Sequence, residues 1–328
     1  MIPALDRPPF RPRFPWLTGN LQSLATVLLP APKEVAPHAR EALRLALPDG
    51  DILHATLDRP VEPKPGRPTV LLIHGAGGSA GSPYMLRASR QMLDSGHRVV
   101  RLNLRGAGPS RADCRGQYYA GGSADLGALL ALLPGSLATD GLVAVGYSVG
   151  GAILLKYLGE AGQDTPLAAA ASVSAPIDLA ATCRNLMRPC NWLSHFMLLR
   201  QMKREALGPG AALTPAERDG IRKARTLWQF DEQFTAPRNG FADVADYYAR
   251  CSAMEFLGGI RIPTLVVAAQ DDPWVPCAAY LGQHWSAYES LCLLPLLPEQ
   301  GGHVGFHGVG SRHPWSDRAV AGFLAFHR

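Results

Sequence analysis

A serine between glycines, Gly146-Tyr147-Ser148-Val149-Gly150, directly follows an apolar run and opens a helical one. In that strand-to-helix setting GxSxG reads as a nucleophile elbow, a tight turn that pushes the hydroxyl out of the backbone while the glycines remove colliding side chains. A serine hydroxyl attacks a carbonyl only when a base takes its proton, so the chain should also supply a histidine and an acid to orient it. Gly301-Gly302-His303-Val304-Gly305-Phe306 offers the base, with two glycines leaving room for the imidazole; His284, His307 and His313 are less well placed. The acid is expected where the apolar run 264–270 enters Asp271-Asp272-Pro273-Trp274-Val275-Pro276. Asp272 leads a D-P-x-x-P turn and is the chosen acid, with Asp271 as the alternate. Neighbours at a strand end point to opposite faces, so one of the two reaches the imidazole.

The tetrahedral oxyanion needs backbone donors. One is expected at Val149, whose N–H opens the helix after the serine, and the second at Ala76 in the glycine-rich loop His74-Gly75-Ala76-Gly77-Gly78-Ser79. His74 is expected to shape that loop rather than to react. A phosphate cradle is the competing reading of the loop, but neither GxxxxGK[ST] nor a clean GxGxxG is present.

These residues must be carried on strand ends. Apolar β-type runs at 42–47, 52–57, 69–75, 98–104, 142–148, 167–173, 264–270 and 291–297 alternate with helical patterns, which predicts eight strands in a mainly parallel sheet with helices on both faces. The first two runs flank Pro48-Asp49-Gly50-Asp51 and predict an antiparallel hairpin. Helices are expected over 82–96, 123–135, 149–162, 276–285 and 316–328, with Gly96, Gly135 and Gly162 as left-handed stops. The alternation fails between Ile177 and Phe256, where helical patterns and aromatics predict an inserted cap. The expected organisation is therefore an N-terminal arm (1–40) with one short helix, a core (41–176 and 256–328) and a helical cap (177–255). Within the cap, Trp192, Phe196, Trp228 and Phe230 are the candidate substrate-binding residues, plain packing of the cap onto the core being the alternative.

Composition excludes several classes. The 328 residues are 47% hydrophobic and 18% charged, which suits a globular enzyme and not a disordered or fibrous chain. The net charge of +5 is not gathered into a basic run, so nucleic acid is not an expected partner. Six cysteines without CxxC or short Cys/His spacing point to neither a disulfide scaffold nor a metal, and no cofactor is called for. No apolar run approaches the roughly 20 residues that span a bilayer. Prolines and arginines break the N-terminus where a signal peptide would need an apolar stretch, so a cytoplasmic location is expected, with peripheral membrane contact still open.

The order Ser148, Asp272, His303 is that of α/β-hydrolases. Taken with PWLTGNLQSLATVL in the arm, HGAGGSAGSPY, NLRGAGPS, GGSADL, GYSVGGAILLKYLGE, the cap segment FDEQFTAPRNGFADVADYYARCS, DDPWVP and GGHVGF, the chain resembles the α/β-hydrolase family of bacterial YheT-type hydrolases, plant EMB8-like proteins and animal ABHD1/ABHD3-type lipases. Ala152 stands where that family usually has Asn, and Ala107 where it has Cys. The resemblance implies the α/β-hydrolase fold and hydrolysis of a small-molecule or lipid-like carboxylic ester through Ser148, Asp272 and His303, without a cofactor. Acyl transfer to another alcohol through the same residues, and a catalytically silent lipid-binding protein, are the alternatives.

Overall fold

The computed structural model describes residues 9–32, 39–289 and 292–326. Eight strands form one sheet in the order β1-β2-β4-β3-β5-β6-β7-β8: β1 (Arg40–Ala46), β2 (Ile52–Asp58), β3 (Thr69–Ile73), β4 (Val99–Leu102), β5 (Leu142–Tyr147), β6 (Ala169–Val173), β7 (Thr264–Val267) and β8 (Leu293–Leu296). β1 and β2 are the expected hairpin, closed by Gly50 at φ +90°. β2 also meets β4 antiparallel, and every junction from β4 through β8 is parallel.

β3 is buried throughout, and its side chains alternate between two cores. Leu71 and Ile73 join the cluster under α3 (Ser123–Leu132) and α4 (Val149–Ala161), while Val70 and Leu72 join the one under α2 (Pro83–Asp94) and the C-terminal helix Trp315–Phe326. From β3 the chain turns outward to β4 on one side, then returns to start β5 on the other. Loops leaving the C-terminal ends of β3 and β5 therefore diverge, and such a switch point leaves a crevice. Between β6 and β7 no strand intervenes. α5 (Leu179–Leu186), α6 (Trp192–Ala206), α7 (Pro215–Lys223), shorter turns over 227–238 and the helix Val244–Cys251 enclose an apolar cluster of their own.

The differences from expectation are local. Four runs expected to continue as strands, at 69–75, 98–104, 142–148 and 264–270, stop one to three residues early, because their last residues leave the ladder to build the site. The run 291–297 narrows to Leu293–Leu296, and Leu291 lies outside the described residues. Gly96 and Gly162 take positive φ as helix stops, but Gly135 does not: α3 ends at Leu132 and is capped at Leu133, before Pro134, which cannot continue it. The helix expected over 276–285 is two short ones, Ala278–Leu281 and Trp285–Glu289. No helix among the described residues is long and apolar enough to cross a membrane.

Candidate active site

Ser148 sits at φ 51° and ψ −126° between β5 and α4, a conformation that costs about 1–3 kcal/mol and persists only where the surroundings enforce it. They do so by close packing. A Cβ on Gly150 would lie 2.4 Å from the His74 carbonyl oxygen, so nothing larger than glycine fits where the elbow crosses the end of β3. Beneath the serine, the Tyr147 hydroxyl donates to Asp317 at 2.9 Å and anchors the turn to the C-terminal helix.

His303 reaches the serine across the crevice. Its Nε2 lies 3.0 Å from Ser148 Oγ and its Nδ1 lies 2.8 Å from Asp272 Oδ2. With the carboxylate as acceptor, the proton belongs on Nδ1, which leaves the Nε2 lone pair facing the serine hydroxyl. The other Asp272 oxygen accepts the Trp274 and Val275 amides at 2.8 and 3.0 Å, fixing the carboxylate plane. Trp274 lies over the imidazole with ring centroids 4.5 Å apart. Asp271 faces the other way and accepts the Gly302 amide at 2.8 Å, holding the loop rather than the ring. Burial pushes its carboxyl above the ordinary range.

The loop after β3 lies opposite. Gly75 donates its amide to the Tyr84 hydroxyl at 2.8 Å and Gly77 donates to the Tyr118 hydroxyl at 2.7 Å. Ala76, between them, has no acceptor among the described residues, and neither has Val149 at the start of α4. Two free amides thus flank Ser148. His74 is buried with Nδ1 on the Gly75 carbonyl and Nε2 on the Leu104 amide, and burial pulls it down to about 4, so it stays neutral and shapes the loop.

From Ala76 and Val149 a cavity opens into the helices between β6 and β7, with about 840 Å³ of space including its mouth. Leu179, Leu186, Leu198, Met202, Leu227, Phe230, Phe234 and Tyr247 make it mainly apolar. Asp231 is its one buried carboxyl: it accepts the Tyr248 hydroxyl at 2.7 Å, and burial pushes it up to about 6. Of the four cap residues singled out from sequence, Phe230 lines the cavity. Trp228 packs edge-on against Tyr248 outside the lining, and Trp192 and Phe196 face outward at 66% and 55% exposure. The correction has a simple cause: α6 turns Leu198 and Met202 inward, which places Trp192 and Phe196 on its outer side.

The N-terminal segment contributes contacts that sequence reasoning missed. α1 (Gly19–Leu28) lies against the His303 loop: the Ser23 hydroxyl accepts the His303 amide at 2.8 Å, and Gln22 Oε1 accepts the His307 amide at 2.7 Å. Arg87 of α2 donates to the Thr26 and Leu29 carbonyls at the end of α1 and pins it there. Gly302, at φ +60°, has the Gly19 carbonyl oxygen 2.3 Å from where a Cβ would stand. The loop needs such support, because Val304 and Phe306 also adopt positive φ, at 57° and 51°. The sole signal in the sequence was the PWLTGNLQSLATVL stretch, which carried no visible chemistry.

The comparisons with known proteins agree with this architecture. The family model described as alpha/beta hydrolase fold matches residues 68–307. YheT of Escherichia coli (strain K12), a protein named as an esterase, is 31% identical over 290 residues, covering 86% of this chain and 83% of its own. A phospholipase of Mus musculus, ABHD3, is 32% identical over 267 residues, covering 79% of this chain and 63% of its own length. Among solved structures, an esterase of Pyrococcus furiosus superposes with a TM-score of 0.59 at 14% identity, over 91% of this chain and 98% of its own.

Proposed function

The chain belongs to the alpha/beta hydrolase fold family, and we propose that it is a serine hydrolase that cleaves carboxylic esters of an apolar acyl group through Ser148, His303 and Asp272. The observation that carries this reading is the unbroken relay from Asp272 Oδ2 to His303 to Ser148 Oγ, at 2.8 and 3.0 Å, set at the mouth of an apolar cavity. Relatives named as an esterase and a phospholipase support the ester as the bond attacked.

The mechanism follows from the geometry. With ester carbonyl carbon beside Ser148 Oγ, the His303 Nε2 takes the hydroxyl proton as the oxygen attacks. Asp272 stabilises the resulting imidazolium, and the carbonyl oxygen, now an anion, accepts the Ala76 and Val149 amides. The imidazolium returns its proton to the leaving alkoxide, and an acyl group remains on Ser148. Water, deprotonated by the same nitrogen, then releases the acid. The core at 41–176 and 256–328 carries the reaction, and the cap at 177–255 receives the acyl chain between Phe230, Phe234 and Leu186. The arm at 1–40 holds the base through Ser23 and Gln22. Peripheral contact with a lipid surface falls to the outer side of α6, where Trp192, Leu193, Phe196 and Met197 are exposed.

A fluorophosphonate probe should label Ser148, and Ser148→Ala should lose turnover of p-nitrophenyl esters by a thousandfold or more while keeping its circular dichroism, since an oxyanion hole alone retains some catalysis. Wild-type turnover in the alanine variant would overturn the assignment. Release of an alkyl ester rather than free acid in the presence of added alcohol would instead assign acyl transfer.

A further inference from the structure

Helix α6 reaches the loop after β3 once directly and once through Tyr118. Gln201 packs on Gly77, whose Cβ, were there one, would lie 2.8 Å from the Gln201 Cγ. One turn later, Glu205 Oε2 accepts the Tyr118 hydroxyl at 3.1 Å, and that same hydroxyl accepts the Gly77 amide at 2.7 Å. The other Glu205 oxygen accepts the Gln201 amide at 3.3 Å. Glu205 is buried at 8% exposure, and no ion pair with a cation is formed by it among the described residues. A carboxyl without a salt bridge in such a place is costly unless its hydrogen bonds have a use.

Resting on the reading above, in which Ala76 is an oxyanion donor, we propose that Glu205 is a positioning residue that aims the Ala76 amide through Tyr118, and that its ionised form is the competent one. The Tyr118 oxygen has one proton and must present a lone pair to the Gly77 amide, so the proton has to go elsewhere. An ionised Glu205 accepts it in every rotamer. A neutral Glu205 carries a proton of its own that competes for the Tyr118 lone pairs; the phenol can then turn its proton toward Gly77 and push the amide away. Gly77 shares a peptide link with Ala76, so a shift there re-aims the donor, and geometry within a few tenths of an ångström decides what such a donor contributes.

The surroundings set where Glu205 titrates. Burial is the largest influence and pushes it up to about 7, opposed by the hydrogen bonds from Gln201 and Tyr118 and by the fields of Arg111 and Arg204. The remaining titratable neighbours are Tyr118 itself and Tyr84 of α2, both raised by burial and neutral near pH 7. Glu205 is therefore the group of this cluster that changes charge near neutrality, and kcat is expected to rise with pH across that range.

The test compares Tyr118→Phe, Glu205→Ala and Glu205→Gln by kcat, KM and pH profile on p-nitrophenyl butyrate, and by inhibition with butylboronic acid, whose serine adduct places an oxygen at the oxyanion position. Tyr118→Phe and Glu205→Ala should lower kcat by about tenfold to a hundredfold, a fraction of what loss of a whole oxyanion donor costs, and weaken the boronate in parallel with little change in KM. Glu205→Gln mimics the neutral acid, with N–H donors beside its acceptor oxygen, and cannot titrate; it should lower kcat as the other two variants do and remove the share of the rise near pH 7 that Glu205 contributes, leaving the pH dependence of the general base. If all three variants keep the wild-type pH profile and boronate affinity while Ser148 is still labelled by a fluorophosphonate, the inference is wrong and the hydrolase reading stands. If Ser148 is not labelled and Ser148→Ala is active, the parent reading fails first.

Discussion

His303 is held from behind by uncharged groups, the Ser23 and Ser174 hydroxyls on its own and the next amide and the Gln22 amide further on, whereas the loop facing it hangs from two phenols, one of them leaning on a carboxyl pushed up to about 7. Both supports come from outside the strands that bear the reacting groups: α1 from the N-terminal side of the chain, α6 from the stretch between β6 and β7. The lesson is about what each side must tolerate. A loop with positive φ at Val304 and Phe306 stores strain and is served from α1 and the end of β6 by hydroxyl and amide contacts that do not change with pH, beside the Asp271 carboxyl on the Gly302 amide. The opposite loop carries less strain, since Gly77 takes its positive φ at no steric cost, and it can be served by a titrating partner.

The strongest way to break this comparison is to attack the acid. Asp272→Asn should lower kcat by about 10⁴, the size of effect seen when a serine protease loses that charge, whereas Asp271→Asn, which still accepts the Gly302 amide, should cost about tenfold or less. Steady-state kinetics of the two variants at matched stability decides; collapse of Asp271→Asn instead would shift the acid by one residue.

A smaller effect sharpens the base side. Ser23→Ala leaves the buried His303 amide without its acceptor, which should destabilise the protein by about 1–3 kcal/mol and lower kcat several-fold, with the shape of the pH profile unchanged. Urea melts and kcat against pH would show it. A change in profile shape, like that expected on removing Glu205, would erase the distinction between the two supports.

Next comes the cavity that opens from Ala76 and Val149. Phe234→Ala and Phe230→Ala should alter the ratio of butyrate to palmitate turnover by about tenfold, given roughly 1–3 kcal/mol of discrimination per methylene in an apolar pocket. A uniform loss across chain lengths would assign those rings to packing alone. Smallest of all, Trp192→Ala and Phe196→Ala on the exposed side of α6 should leave turnover of a soluble short ester within about twofold, as surface substitutions do, while lowering sedimentation with anionic lipid vesicles.

Much of the fold was legible because the sheet is covered on both faces: β3, β5, β6 and β7 read as unbroken apolar runs, and the helices between them announce themselves by length and stops. The strand ends were not legible, since Asn103 or His74 looks the same whether it continues a ladder or leaves it to hold a loop. Ser148, Asp272 and His303 stood out because the chemistry of each demands a residue type in a particular turn. Ser23, Gln22, Tyr118 and Glu205 did not, because a hydroxyl or carboxyl that acts through a backbone amide far away in the sequence leaves no local pattern. Trp192 and Phe196 misled for the reason that apolar content reports neither which side of a helix faces a cavity nor which faces out.

The Ser23 to His303 bond joins positions 280 residues apart, which bears on when the protein becomes reactive rather than how. Synthesis runs from the N-terminus, so α1, the elbow and the glycine-rich loop emerge from the ribosome well before the loop that docks on them. During that interval the nucleophile has no base, and the early helix has nothing to hold. On the proposed serine hydrolase reading, a nascent chain therefore has no relay with which to acylate Ser148. The same closure makes the N-terminal helix a place where a short deletion, away from the reacting atoms, is expected to weaken the relay by removing the Ser23 and Gln22 supports of the His303 loop.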